Sequence, residues 1–179
     1  RSSNPDVSLT QDESFTATSH RGLTYPLGKH APGEAALHDL PAGVGWARIA
    51  MPGSLGHINV WAIRDGEGVT VVDCGLKLPL SEQAWDALFT GPLVDTPVTR
   101  VICTHLHPDH IGMAGWLCAR FDAMLWMTRG EWLTARMLIT DARDDVPADV
   151  VRFRRAAGWS QDQIDEAGKQ GWGRFRHIV

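Results

Sequence analysis

The chain reads as an α/β (α+β) protein of short strands and helices, on three observations. Short apolar runs separated by turn residues fill Trp46 to Val72, which is the pattern of antiparallel strands. From Ser81 onward, helical periods alternate with the short apolar runs Val101–Cys103 and Ala123–Met127, as strands linked by crossover helices do. Between the second strand type and its helix stands a dense run of imidazoles and carboxylate, Thr104-His105-Leu106-His107-Pro108-Asp109-His110.

Residues 1–22 are polar, rich in Ser, Thr, Asp and Gln without a sustained period, and read as an arm. Turns continue through Pro26 to Gly33, so a polar N-terminal arm is expected over 1–41 and a folded domain over 42–179. Pro52-Gly53, Gly56 and Asp65-Gly66 separate the strands of the Trp46–Val72 region. Ser81 is expected to cap the next helix, with Trp85, Leu88 and Phe89 as its inner stripe and Gly91-Pro92 ending it.

Val101 to Cys103 forms a buried strand, and Pro108 with the Gly112–Gly115 pair turns the chain out of it. Ile111 to Phe121 is apolar nearly all round and predicts a buried helix whose two glycines approach the sheet closely. Glu131 to Asp141 predicts a helix with Trp132, Ala135, Leu138 and Ile139 inward. Two more helices are expected over Ala148–Ala157 and Gln161–Gln170.

The chemistry lies in the H-x-H-x-D-H run. Three imidazoles and a carboxylate crowded past an apolar strand would repel and desolvate one another, so a cation is the natural reason for their company. His105 and His107, two apart in extended backbone, point the same way and can share one ion. Asp109 and His110 are adjacent, and a tight turn aims them at a second. Two ions about 3.5–4 Å apart would hold a water and lower its pKa toward neutrality.

The flanking segments extend the pattern. Gly56-His57-Ile58-Asn59-Val60-Trp61-Ala62-Ile63, then Val71-Val72-Asp73-Cys74-Gly75, then the Val101–Cys103 strand, the ligand loop and Ile111-Gly112-Met113-Ala114-Gly115 follow in fixed order over roughly residues 42–140. In that order and spacing the chain resembles the metallo-β-lactamase-fold hydrolases. The resemblance implies an αββα sandwich, of which this chain carries the N-terminal half with its mixed sheet and covering helices. It implies that His105 and His107 hold the first metal and that Asp109 and His110 hold the second, with Asp109 also steering the attacking water. Asp73 would brace a ligand histidine, or else simply end its strand before the turn at Gly75.

The family site needs a further histidine for the first metal, a bridging aspartate and a last histidine. After His110 the chain has only His177, set among Arg174, Phe175 and Arg176, where a surface or packing histidine is the favoured reading. The remaining ligands are therefore expected beyond Val179. The start at Arg1 points the same way, toward a processed or trimmed chain; the alternative, a compact single-half protein, would bury its open sheet face by dimerising.

The expected function is a metal-dependent, binuclear zinc hydrolase using an activated hydroxide on a small ester, lactone, thioester or amide. An iron-dependent redox enzyme similar to the persulfide dioxygenases, or a non-catalytic metal-binding fragment, are the alternatives. His107 counts against the diiron branch of the fold, which carries Glu there, because imidazole suits zinc and carboxylate suits iron.

Composition limits the rest. At 44% hydrophobic and 21% charged residues in 179, with no run of about 20 apolar residues, the chain has the balance of a soluble globular protein and no membrane partner is expected. Three cysteines argue against a disulfide framework and favour a cytoplasmic setting, although a removed signal would leave no trace. Cys74 and Cys103 read as buried thiols rather than metal thiolates, and Cys118 as core. The net charge of −4, with no basic-aromatic interleaving, gives no reason to expect nucleic acid. Arg152, Arg154 and Arg155 read as a solvated face balanced by Asp162, Asp165 and Glu166. His57 reads as a loop histidine, with substrate contact as the lesser reading. A small-molecule substrate and a homo-oligomer complete the expectation.

Overall fold

The computed structural model describes residues 17–28, 30–66, 68–141, 143, 145–169 and 172–179. Two compact units divide the chain at Ala31/Pro32. In the first, the described residues form a hairpin of β1 (Thr18–His20) and β2 (Leu23–Tyr25), paired antiparallel through a turn in which Arg21 and Gly22 both have positive φ. The expected arm over 1–16 lies outside the described residues.

The second unit is built on a six-stranded sheet in the order β3 (His38–Leu40), β4 (Val44–Ala50), β5 (His57–Asp65), β6 (Gly68–Val72), β7 (Val98–Ile102) and β8 (Met124–Trp126). The first four strands run antiparallel; β6–β7 and β7–β8 are parallel. The sheet is mixed, as expected. β3 places the start of this unit before residue 42: His38 pairs with Trp46 and Leu40 with Val44, so the expected boundary at 41/42 falls within the sheet. Three residues with a polar centre carry too little alternation to be read as a strand.

The parallel connections carry α1 (Pro79–Thr90) and α3 (Ala114–Phe121). Residues of both helices join one core cluster with the sheet, as right-handed crossovers in the order β6, β7, β8 would place them. Ala47 and Ile49 of β4, Ile58, Val60 and Ala62 of β5, Val71 and Val101 pack with Trp85, Leu88 and Phe89 of α1 and Leu117 of α3. The alternation is strict along β4, where every second residue is buried and its neighbours are half-exposed. The opposite face carries the stacked pair Trp46 and Trp61, whose ring centroids lie 6.1 Å apart, with Trp46 donating to Asn59 Oδ1 at 3.0 Å.

Helix α4 (Arg129–Thr140) starts at Thr128, whose Oγ1 accepts from Glu131 N–H. Helices α5 (Ala148–Ala156) and α6 (Gln161–Lys169) contact each other and are followed by a 3-10 turn over Trp172–His177. No described helix is long and apolar enough to cross a membrane.

Several local expectations change. Ser81 is not the cap of α1: Leu78 is the extended N-cap residue, Pro79 takes the first turn, and Ser81 is fully buried inside the helix. Trp132 is 45% exposed rather than inward, since Ala135 alone of α4 is buried. The stretch from Ile111 does not form one helix; a four-residue turn α2 (Pro108–Ile111) ends at Gly112, and α3 begins at Ala114. Gly112 makes the close approach expected of both glycines, whereas Gly115 faces open space.

Candidate metal centre

The H-x-H-x-D-H run leaves the carboxyl end of β7, and Asp73 leaves the carboxyl end of the neighbouring β6. Parallel pairing, with Val72 opposite Ile102, brings the two exits side by side. Pro108 then starts α2, which carries Asp109 and His110 on a helical turn rather than a loop. Backbone bonds lock this turn to the β6 exit: Cys74 N–H donates to His110 O at 3.1 Å, Gly75 N–H to Asp109 O at 2.9 Å, and Met113 N–H to Gly75 O at 3.0 Å.

Gly112 makes that lock possible. A Cβ there would stand 2.5 Å from Lys77 N and 2.6 Å from both Gly75 O and Pro108 O, all backbone atoms that cannot swing aside. Gly112→Ala is therefore expected to cost about 2–3 kcal/mol of stability, measured by urea unfolding, whereas Gly115→Ala should be nearly neutral.

Asp73 is the hub of the polar network. It is 5% exposed and sits at φ 58, a left-handed conformation that Asp tolerates better than most residues. Its carboxylate accepts from Thr104 N–H at 2.8 Å, from the Thr104 hydroxyl at 2.9 and 3.0 Å, and from His110 Nδ1 at 2.9 Å. Thr104 has one hydroxyl proton, and the acceptor-only carboxylate takes it. Thr104 Oγ1 must then accept from His105 Nδ1, 3.0 Å away.

His105 and His110 thereby each direct a protonated Nδ1 at a fixed acceptor and turn Nε2 toward the cluster. His105 Nε2 faces His107 Nδ1 at 2.9 Å, and His110 Nε2 faces Asp109 Oδ2 at 3.3 Å. The His105 and His110 rings lie 3.9 Å apart between centroids. Of the two readings of Asp73, the bracing role is the one its contacts bear out.

Two supports of the cluster lie outside the pattern read from the sequence. Thr104 stands in the motif without an assigned role, although a hydroxyl between a buried carboxylate and a histidine is a recognisable relay. Glu131 Oε2 accepts from Leu106 N–H at 2.7 Å and fixes the loop between the two histidines from α4. No spacing rule links residues 106 and 131, so only the fold brings them together.

His177 is exposed at the end of the 3-10 turn, beside Ile178, whose carbonyl accepts from Lys77 N–H at 3.0 Å. Cys74 and Cys103 are buried; Cys74 Sγ donates to His110 O at 2.9 Å, and burial pushes its thiol well above the ordinary range, so it is a packed thiol rather than a thiolate ligand.

The metallo-beta-lactamase superfamily profile matches residues 53–176, which takes in the sheet from β5 onward and the whole cluster. The chain belongs to the metallo-beta-lactamase superfamily. A beta-lactamase domain protein from Burkholderia ambifaria is similar over 66% of this chain and 39% of its own, at 38% identity and a TM-score of 0.62. A metallo-beta-lactamase family protein from Thermus thermophilus shares the fold over 78% of this chain and 43% of its own, at 20% identity and a TM-score of 0.56. The "Probable metallo-hydrolase YybB" of Bacillus subtilis (strain 168) is 32% identical over 74 residues, 41% of this chain. The chain spans about a third of that relative's length, its matched part being 31%.

Membership of this superfamily raises the question of whether the residues suit a metal. Among the described residues, no three or more His, Cys, Asp or Glu side chains stand placed to hold an ion as they are. The expected ligands are brought together, but the imidazoles close on one another. The donor chemistry nevertheless fits. Two ligands about 2.0–2.1 Å from one tetrahedral zinc stand roughly 3.3–3.4 Å from each other. His110 Nε2 and Asp109 Oδ2 already have a 3.3 Å separation, and His105 Nε2 and His107 Nδ1 at 2.9 Å need to part by only a few tenths of an ångström. A cation between His110 Nε2 and Asp109 Oδ2 would engage both acceptors, and His107 Nδ1, which can donate to His105 Nε2, would give up its proton for the ion.

Proposed function

We propose that this chain carries the metal-binding segment of a hydrolase that uses zinc at His105, His107, Asp109 and His110 to cleave a small ester, lactone, thioester or amide. The observation that carries this reading is the Asp73–Thr104–His105 and Asp73–His110 pair of hydrogen-bond chains, which leaves the Nε2 of both histidines available as ligands. A merely structural cluster has no need to anchor two imidazoles by Nδ1 and turn both Nε2 atoms inward. Superfamily membership and the metallo-hydrolase relative support the reaction class.

Zinc bound there would supply Lewis acidity toward a carbonyl or water oxygen. The chain's own residues supply the rest. Asp109, with its half-buried carboxylate on the α2 turn, accepts a hydrogen bond from the attacking water and fixes its direction of approach. His110 is held from behind by Asp73, and the backbone lock from Cys74 and Gly75 keeps the Asp109 turn from drifting. His107, an imidazole where the diiron branch carries Glu, favours zinc over a diiron centre.

The test uses the protein as encoded in full. After chelation, zinc is expected to restore hydrolysis of a panel of small esters, lactones, thioesters and amides, and His105→Ala to lose the first ion, with metal content read by elemental analysis. Unchanged metal content in His105→Ala would place the ion elsewhere. Restoration by iron alone, with oxygen uptake, would favour the redox chemistry instead.

A further inference from the structure

A cavity of about 540 Å³, none of whose lining residues belongs to the histidine cluster, lies where the end of β4, the start of β5 and one side of α1 meet. Its walls include Leu80, Gln83, Ala84 and Ala87 of α1 together with Glu34, Arg48 and His57. Arg48 is the one cation among the lining residues. Its Nη2 lies 2.6 Å from His57 Nδ1, and its Nε is buried without a hydrogen-bond partner. Glu34 and Arg48 form no ion pair among the described residues.

A guanidinium only donates, so His57 Nδ1 must accept and its proton must sit on Nε2. Burial, and then the Arg48 charge, hold His57 below the usual imidazole range and keep it neutral. Arg48 and His57 therefore present donors, the Arg48 N–H groups and His57 Nε2–H, in a cavity that the Gln83 amide and the Glu34 carboxylate also line. Among the described residues Arg48 makes no ion pair, and its nearest side-chain partner is the His57 imidazole.

We infer that this cavity binds a small monocarboxylate with a short apolar tail, its carboxylate on Arg48 and His57 and its tail along Leu80, Ala84 and Ala87. A carboxylate is acceptor-only and matches the donors; an amine would face the Arg48 charge. A single cation with Glu34 nearby suits one negative charge better than the two of a phosphate. The volume is that of an ordinary small-molecule pocket. Binding here is independent of the proposed hydrolysis.

The experiment titrates hexanoate into the full zinc-treated protein and follows the His57 ring signals by NMR, assigned with His57→Gln. Hexylamine, hexanol and inorganic phosphate are run as controls. Hexanoate is expected to shift the His57 signals saturably, and the controls are not. Arg48→Gln and the cavity-filling Ala84→Leu should each weaken binding at least about ten-fold, while Asp109→Asn leaves it unchanged. Arg48→Lys, which keeps the charge, guards against a folding defect at that position. Equal binding by Arg48→Gln, loss of binding in Asp109→Asn, which would put the carboxylate on the metal centre, or no saturable shift at all would overturn the inference.

Discussion

Asp109→Ala is expected to lower turnover by at least about 10³-fold while leaving the fold standing, because in the proposed mechanism it removes both a metal ligand and the group that orients the attacking water. Its side chain is only partly buried, and what the core receives from the α2 turn is backbone: Asp109 O accepts from Gly75 N–H whatever the side chain. The stability change should stay within about 1 kcal/mol. Elemental analysis should show the second ion weakened and the first retained, since His105 and His107 face each other without Asp109. Wild-type rates in the variant, measured with whichever substrate of the panel is cleaved, would remove Asp109 from the mechanism.

Asp73→Ala should do the reverse, with its largest effect on stability. The substitution leaves Thr104 N–H, the Thr104 hydroxyl and His110 Nδ1–H without their shared acceptor in a part-buried place, and puts Ala at a φ of 58 that favours Asp, Asn or Gly. A loss of about 3–5 kcal/mol is expected in urea unfolding. Asp73→Asn separates this from the tautomer argument. Asn tolerates the same backbone and keeps one acceptor, so most of the stability should return. It cannot accept from both Thr104 and His110 as a carboxylate does, so zinc affinity by competition titration should fall about 10–100-fold. Native zinc affinity in Asp73→Asn would mean that the histidines need no bracing from this residue.

Much of the site is legible in the sequence because its residues are contiguous. His105, His107, Asp109 and His110 share one strand exit, and local geometry alone places them together. Asp73 is legible as a strand end before a turn glycine, but its reach to Thr104 and His110 depends on the parallel β6–β7 pairing, a contact between segments about 30 residues apart. Glu131 is hidden for the same reason at 25 residues' distance.

In the fold, the long alternating strands and the Trp85, Leu88 and Phe89 stripe can be read from their periods. The short pieces cannot. β3 and the β1–β2 hairpin are three-residue strands whose existence rests on pairing rather than propensity. The start of α1 is misleading in the sequence because Ser81 carries a capping side chain, while Pro79, with its fixed φ and missing N–H, occupies the first turn. Hydrophobicity alone would turn Trp132 inward, yet α4 buries a single narrow stripe at Ala135 and leaves the indole beside Arg136, 5.8 Å from its ring centroid.

Whether the strand-exit histidines are tuned to hold a metal is tested most directly by crystals of the full protein grown with zinc, using anomalous diffraction at the zinc edge. A peak is expected between His105 Nε2 and His107 Nδ1, with the Asp73–Thr104–His105 and Asp73–His110 hydrogen bonds intact. A saturating zinc concentration that leaves those nitrogens paired to each other, with anomalous density only elsewhere, would contradict that role.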